Sequence, residues 1–188
     1  MAASMDLTTL DDVKSYLGIS GNGSDELLGT LIAAASEAIE SYCGRKFASA
    51  AVVEYHDGGH TFLVLSRFPV SSVSAIYTDP SGRFSPGTLV PASCYVVYGE
   101  AGLVVLTSGV FPAGARAVKV SYTGGYASVP ADIGQAATML VATWYTRSRE
   151  GADGLASQSV GSYSASFREE EWPAQVRALL RGYRLARV

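Results

Sequence analysis

The hydrophobic period of the chain changes twice, and this layout constrains the fold more than any other feature. Two segments with apolar residues at helical spacing open the chain, short strand-like runs fill the middle, and two further helical segments close it. The pattern predicts an α+β protein. In it, a four-helix α bundle formed by the N- and C-terminal segments carries an inserted small antiparallel β sandwich or barrel. The predicted domains are 6–47 with 129–188, which form one discontinuous helical domain, and 48–128, which forms the β domain.

The first two helices are predicted from their capping residues and apolar stripes. Thr8 or Thr9 can cap the first helix, and Gly18 is a natural end for it. The second helix is expected to begin at Ser24, and it has the clearest apolar period in the sequence. Both segments should therefore bury one face against other helices.

The remaining elements follow from proline positions and from β-branched and aromatic residues. Pro130 fits the first turn of a third helix, and a last helix is expected from about Pro173 to Ala186. Six short runs predict strands, mostly antiparallel. These runs are Val53–Tyr55, Thr61–Leu65, Val73–Tyr77, Tyr95–Tyr98, Leu103–Leu106 and Val118–Tyr122.

The composition favours binding to other proteins. Charged residues make up 16% of the chain, against about a quarter in ordinary globular domains. Three lysines stand against eleven arginines and eleven tyrosines, and protein interfaces are depleted in lysine and enriched in arginine and tyrosine. An arginine-rich genome is the alternative explanation. The net charge of −3 argues against general nucleic-acid binding.

The sequence also predicts a compartment. No apolar run approaches the roughly 18 residues that a membrane span needs, and Met1–Asp6 lacks the features of a signal peptide. We therefore expect a cytoplasmic protein without a membrane partner. In that reducing compartment, Cys43 and Cys94 are expected to be buried small apolar residues.

The two histidines are the first candidates for chemistry. His56 and His60 flank Asp57-Gly58-Gly59, and two imidazoles with a carboxylate could hold a metal. A third strong ligand is missing, however, and the Asp57-Gly58 dipeptide favours a hairpin turn. Nucleophile elbows, phosphate-binding loops and dinucleotide fingerprints are absent from the sequence. We expect no catalytic residue, metal or cofactor, although a spatial Ser/His/Asp set that uses either histidine stays open.

An arginine stripe near the C-terminus is the second candidate. Arg177, Arg181 and Arg184 follow at helical spacing, and Arg187 is adjacent. The stripe could dock on an acidic protein surface, lie in solvent at the negative end of the helix dipole, or contact phosphates. Glu169–Glu171 precede the helix and partly offset its charge.

The segment between the last two helices is rich in glycine and serine. Within Glu150–Phe167, the stretch Ser159–Phe167 places alternate residues on two faces, as a strand would. It is predicted to be either a mobile loop or a strand that pairs elsewhere, including with a neighbouring subunit.

Four segments carry a resemblance to a known family: Leu10–Ile19, Asp25–Phe47, Val129–Ile133 and Ser157–Phe167. They resemble the first helix, the second helix with its exit, the start of the third helix, and the Gly-Ser-Tyr-Ser segment of tailed-phage head–tail connector (adaptor) proteins. The resemblance covers both helical ends, about half the chain. Short members carry little between the second and third helices. The role of the β insert is therefore open, as an outward decoration or as a surface for the next tail protein.

The resemblance implies a structural virion protein and not an enzyme. Such connectors form rings, commonly of twelve subunits, that dock beneath the portal, extend the DNA channel, and offer a platform for a stopper or tail-completion protein. DNA only passes through the channel. The implied location is the virion neck, after assembly in the host cytoplasm. Predicted portal contacts are Arg177, Arg181, Tyr183, Arg184 and Arg187; predicted ring contacts are Tyr42, Arg45, Phe47, Tyr163 and Phe167.

Two other functions are possible on the sequence alone. In the first, the β insert is a binding module that recognises a glycan or peptide through Tyr77, Tyr95 and Tyr98. In the second, the protein is a small hydrolase or metalloenzyme centred on His56 and His60.

Overall fold

A computed structural model describes residues 6–152 and 172–185, without the side chains of residues 150–152. The chain divides into two compact units. The helical unit consists of Met1–Arg45 and Val129–Val188, and the β unit consists of Lys46–Ser128. Among the described helices, none combines the length and apolar character required to cross a membrane.

The described residues of the helical unit form four α-helices, α1 (Leu10–Leu17), α2 (Asp25–Cys43), α3 (Ala131–Ala152) and α4 (Ala174–Leu180). The predicted cap of α1 is confirmed, because the Thr9 hydroxyl accepts the Asp12 amide at 3.1 Å and Gly18 ends the helix in the left-handed conformation. Ser24 precedes α2 but makes no capping bond. Its hydroxyl lies 2.9 Å from the Tyr145 hydroxyl on α3 instead.

α3 contacts each of the other three helices. Apolar residues of α2 and α3 form most of the buried interior, because their stripes recur at helical spacing. A short segment before α1 is fastened to both helices: the Leu7 amide donates to Ser36 Oγ at 2.9 Å, and the hydroxyls of Thr8 and Thr138 lie 2.7 Å apart. Segments that are distant in sequence therefore build one core. The buried residues include Leu28, Ile32, Ala35, Ile39, Ile133, Ala136, Ala137, Leu140 and Val141.

The last helix is shorter than predicted. α4 ends at Leu180, a 3₁₀ turn follows over Arg181–Tyr183, and Arg184 has extended backbone angles. Gly182 weakens an α-helix at this point, because glycine loses more backbone entropy than other residues on becoming helical. The prediction of one helix from Pro173 to Ala186 is therefore wrong, and the arginines do not form a stripe on a single helix.

The β unit contains six strands in two three-stranded antiparallel sheets. The first sheet has the order β1-β6-β3 and the second the order β2-β5-β4. Six mainly antiparallel strands are thereby confirmed, within a few residues of their predicted ends. The strands are β1 (Ala50–His56), β2 (Phe62–Val64), β3 (Val70–Thr78), β4 (Tyr95–Tyr98), β5 (Leu103–Leu106) and β6 (Val118–Gly124).

Both sheets contribute to one buried cluster. The alternation of β6 directs Val118, Val120 and Tyr122 into it, as the two-residue period of a strand requires. Leu63 of β2 and Val104 of β5 join the same cluster. The inner faces of the two sheets thus share a core, and their outer faces point away from it.

The segment around the two histidines is not a hairpin turn. β1 pairs with β6 and β2 pairs with β5, so the segment from His56 to His60 crosses from one sheet to the other. The Gly58 amide donates to the Gly114 carbonyl at 2.9 Å. A Cβ at Gly58 would lie 1.7 Å from the Pro112 carbonyl oxygen, so glycine is needed for the close approach of two backbones.

The two cysteines differ in their environment. Cys43 is buried at the end of α2, as expected, whereas Cys94 is exposed just before β4, so its predicted burial is wrong. Burial raises the pKa of the Cys43 thiol to about 11, against opposing effects of Arg45 and Arg184. The thiol is therefore neutral near pH 7 and is not a nucleophile.

Candidate interaction surfaces

The C-terminal segment contacts the end of α2 through an aromatic and cationic cluster, formed by Tyr42, Trp172 and Arg184 and called here the Tyr42 cluster. The rings of Tyr42 and Trp172 have centroids 5.2 Å apart, and the Arg184 guanidinium carbon lies 4.5 Å from the Tyr42 centroid. The Leu185 amide donates to the Cys43 carbonyl at 2.9 Å. A predicted portal contact, Arg184, therefore meets a predicted ring contact, Tyr42, within the helical unit.

The described arginines of this C-terminal region are all exposed. Arg177 on α4 and Arg181 on the following turn are exposed, Arg184 is exposed beside Tyr42, and Tyr183 is half-buried. α4 has no acidic residue in its first turn. The three exposed cations thus lie within a stretch of eight residues near the end of the described chain. Arg187, Tyr163 and Phe167 lie outside the described residues.

Two predicted ring contacts are buried. Phe47 has no exposed surface, and its ring stacks on Tyr126 with centroids 6.4 Å apart. Arg45 retains only 5% of its surface. A residue without exposed area cannot bury more against a neighbour. The prediction of direct ring contact is therefore wrong for the Phe47 side chain. The Arg45 side chain has almost no exposed area left for such a contact.

The outer face of the second sheet is apolar across all three strands. Strand register places Phe62, Val105 and Val96 in one row. It places Val64, Leu103 and Tyr98 in the next. We call these six residues the apolar face. The sequence pattern did not reveal it, because a three-residue strand that is apolar throughout does not show which face is buried.

The outer face of the first sheet is mixed in character. Lys119 of β6 lies between Tyr55 of β1 and Tyr77 of β3 in the strand register. The Arg116 guanidinium carbon lies 4.5 Å from the centroid of the Tyr55 ring, and the Lys119 ammonium lies 5.7 Å from that of Tyr77. Such cation–π contacts leave aromatic and apolar surface exposed beside two positive charges.

A serine, a histidine and a carboxylate do meet in the β unit, around Glu54. The Tyr122 hydroxyl donates to Glu54 at 2.6 Å, the Ser66 hydroxyl and amide also donate to it, and His56 Nε2 lies 3.2 Å from it. Burial raises the pKa of Glu54, but the hydrogen bonds together outweigh burial and lower the pKa to about 2. The pKa of Tyr122 is raised to about 12 by burial and by Glu54.

This arrangement is not a hydrolytic triad. In a triad the histidine lies between serine and carboxylate and takes the serine proton, whereas here Ser66 and His56 both bond to Glu54. The Arg67 amide donates to the Tyr122 hydroxyl at 3.1 Å. The cluster therefore holds the segment that follows β2 against the first sheet. No group of three or more potential metal-ligating side chains occurs within residues 6–149 and 172–185.

An open groove of about 470 Å³ lies on α3 between the end of α1 and the start of α4. Among the described residues that line it, Tyr16 and Arg147 are the ionisable groups. Its lining is formed by Tyr16, Leu17, Met139, Ala142, Thr143, Thr146, Arg147 and Pro173.

The three tyrosines of the possible binding module differ in their exposure to solvent. Tyr98 is 54% exposed, Tyr77 is half-buried, and Tyr95 packs against the core of the β unit. The three do not form one binding platform.

The family profile for head completion proteins matches residues 6–186. The chain belongs to this family, whose members are structural phage proteins of the head and neck and not enzymes. The resemblance to head–tail connector proteins is thereby confirmed at the level of the family.

Solved structures from gene transfer agent (GTA) particles have the same fold. The chain is similar to one in the neck of an empty GTA particle computed with C6 symmetry, with 21% identity, a TM-score of 0.64, and coverage of 100% of this chain and 95% of that chain. A chain in the neck of a native particle computed with C12 symmetry has 20% identity and a TM-score of 0.62, with coverage of 100% of this chain and 94% of that chain. A chain of the native GTA virion has 19% identity and a TM-score of 0.59, with coverage of 98% of this chain and 91% of that chain. No curated protein matches the sequence.

Proposed function

We propose that the protein is one subunit of a connector ring in the virion neck, which docks beneath the portal and continues the DNA channel toward the tail. The family match over residues 6–186 carries this proposal. The similarity in fold to neck chains from particles computed with C6 and C12 symmetry supports a ring. The number of twelve subunits follows from the connector resemblance.

The two units have separate parts in this proposal. The helices form the connector domain as a four-helix bundle, and the two sheets form an inserted β sandwich. α3 contacts each of the other three described helices and supports the bundle. The ring assembles in the host cytoplasm, and a stopper or tail-completion protein binds below it. DNA passes through without sequence-specific contact, in keeping with the net charge of −3.

The exposed arginines of the C-terminal region are the proposed portal contact. Arg177 and Arg181 are exposed and unobstructed by acidic residues of α4, so they can pair with carboxylates of a portal. Arg184 has a second role, because its contact with Tyr42 positions the segment that carries it. Tyr183 and Arg187 are proposed as further portal contacts. Ring contacts are proposed at Tyr42, Tyr163 and Phe167, with Arg45 and Phe47 supporting from the interior.

The test mixes the purified protein with portal rings of the same virion and examines the complexes by electron microscopy and mass measurement. The wild-type protein should add a second ring beneath the portal. Arg181→Glu should weaken docking at least tenfold, whereas Arg83→Glu makes the same charge change on an exposed site of the β unit and should leave docking intact. Normal docking of Arg181→Glu removes the proposed portal contact, and absence of any ring on the portal removes the proposed function.

A further inference from the structure

The apolar face is an unusual feature for an exposed sheet surface. Its four edge-strand residues are about half exposed: Phe62 48%, Val64 50%, Val96 46% and Tyr98 54%. The central strand contributes Leu103 and Val105, and none of the six residues is charged. Edge strands in soluble monomers are usually protected by charges or proline. A contiguous apolar patch of this kind marks an interaction site.

The chemistry of the face selects a protein occupant. The Tyr98 hydroxyl is its one side-chain hydrogen-bonding group, whereas a glycan needs several donors and acceptors, and a nucleic acid needs cations. The exposed parts of the four edge residues sum to an area on the order of 400 Å², about half of the ~800 Å² per partner in a stable pair. This face alone is too small to hold two free subunits together. It suits a contact that is repeated around a closed assembly.

The β unit also offers a second, different face on its other side. The outer face of the first sheet exposes Val53 at 52% and Tyr55 at 40%, and it also carries the cations Arg116 and Lys119 beside its aromatic rings. Because the inner faces of both sheets share one core, the two outer faces point in different directions. A ring requires a heterologous contact, in which two different surfaces of the same chain meet.

We infer that the occupant of the apolar face is a second copy of this chain: the face formed by β2, β5 and β4 packs on the Val53 and Tyr55 side of the next subunit's first sheet. This inference rests on the proposed ring and gives the β insert a role in it. The β units then form a continuous belt, and each subunit uses one face of each kind. A symmetric pairing of two apolar faces would stop at dimers and could not continue around a ring.

Cross-linking with paired cysteines tests the arrangement. In a Cys94→Ser background, which removes the exposed native thiol, Val64→Cys and Val53→Cys are made singly and together. A short bismaleimide is added to complexes assembled on the portal. The double variant should give a ladder of covalent multimers, and each single variant should stay largely monomeric on a denaturing gel.

The other results contradict the inference in distinguishable ways. Dimers from Val64→Cys alone show symmetric pairing, and a product of Val64→Cys with a different neck protein shows a foreign occupant. Rings without a ladder overturn the β belt but leave the proposed function standing. If no variant forms a ring on the portal, both proposals fail.

A charge variant provides a second measurement that does not depend on cysteine geometry. Val64→Asp places a carboxylate on a half-exposed edge position, away from the core, and should lower ring formation at least tenfold. Ser93→Asp introduces the same charge at an exposed turn residue outside both faces and should have no effect. Circular dichroism confirms that both variants are folded. Equal ring formation by the two folded variants overturns the inference.

Discussion

At the scale of single residues, Glu54 shows how a polar group can organise a small β unit. Its side chain is 15% exposed, and it accepts hydrogen bonds from Tyr122 and Ser66 beside His56. An ionised carboxylate with several donors is stabilised relative to its protonated form. The residues that resemble a catalytic set thus stabilise the fold.

We predict that Glu54→Gln changes how stability depends on pH. Because the folded-state pKa of Glu54, about 2, lies below its ordinary value of 4.5, its contribution is fully present above pH 4.5 and is lost as the pH falls toward 2. The contribution is at most about 3 kcal/mol. Urea unfolding should be followed through methyl NMR resonances of the β unit. The wild type should have a higher free energy of unfolding than Glu54→Gln above pH 4.5, and this difference should shrink as the pH falls toward 2. Exposed Glu100→Gln is the control, and a constant difference between wild type and Glu54→Gln at all pH values would contradict the prediction.

Tyr42, at the end of α2, is one of the residues that hold the C-terminal segment in the helical unit. It contacts both Trp172 and Arg184. We predict that Tyr42→Ala destabilises the protein by roughly 1–3 kcal/mol through loss of these contacts. Hydrogen exchange of residues 172–185 should accelerate. Tyr98→Ala removes an exposed tyrosine from β4 of the β unit and should leave that exchange unchanged. Equal protection in the two variants would show that Tyr42 does not hold the segment.

At the scale of elements, α1 depends on its ends and on its neighbours. It has eight residues, too few for an isolated helix to be stable in water. The Thr9 cap, the Gly18 stop and the Lys14–Asp25 ion pair of 2.8 Å to α2 each support it. Tertiary contacts with α2 and α3 then supply the remaining stability.

We predict that Thr9→Ala lowers the free energy of unfolding by about 1 kcal/mol, since the Asp12 amide loses its acceptor. Thr30→Ala is the matched control. The Thr30 hydroxyl bonds to the Glu26 carbonyl within α2, where alanine is the better helix former, so the change should be neutral or slightly stabilising. Urea denaturation of both variants checks this difference, and equal midpoints would refute it.

At the scale of the whole molecule, the net charge of −3 conceals an uneven distribution. Residues 6–45 carry seven acidic and two basic residues, a net charge of −5. The described C-terminal segment carries Arg177, Arg181 and Arg184 and no acidic residue. A chain that is acidic overall thus carries a local group of exposed cations, and such a group can steer and orient a partner of opposite charge.

We predict that portal docking weakens with salt because of these cations. Raising the salt concentration from about 0.1 M to about 1 M shortens the Debye length from about 10 Å to about 3 Å. Affinity of the wild type for portal rings should fall at least tenfold over this range. The double variant Arg177→Ala/Arg181→Ala should bind more weakly at low salt and show a smaller salt dependence. Parallel salt dependences would mean that these arginines make no electrostatic contact.

The sequence by itself determined α1, α2 and the six strands of this protein. The caps and periodicity of α1 and α2 and the alternation of the six strands are local signals, and each reports on residues a few positions away. The family resemblance likewise rested on segments that are contiguous in the chain.

Only the tertiary structure decided which elements meet and which faces remain exposed. The pairing of β1 with β6, the burial of Phe47, and the contact of Arg184 with Tyr42 join residues far apart in sequence. The apolar face was hidden for the same reason, because each of its strands is apolar on both sides and only packing selects the inner one. Local patterns record propensity and period, whereas burial depends on what the rest of the chain covers.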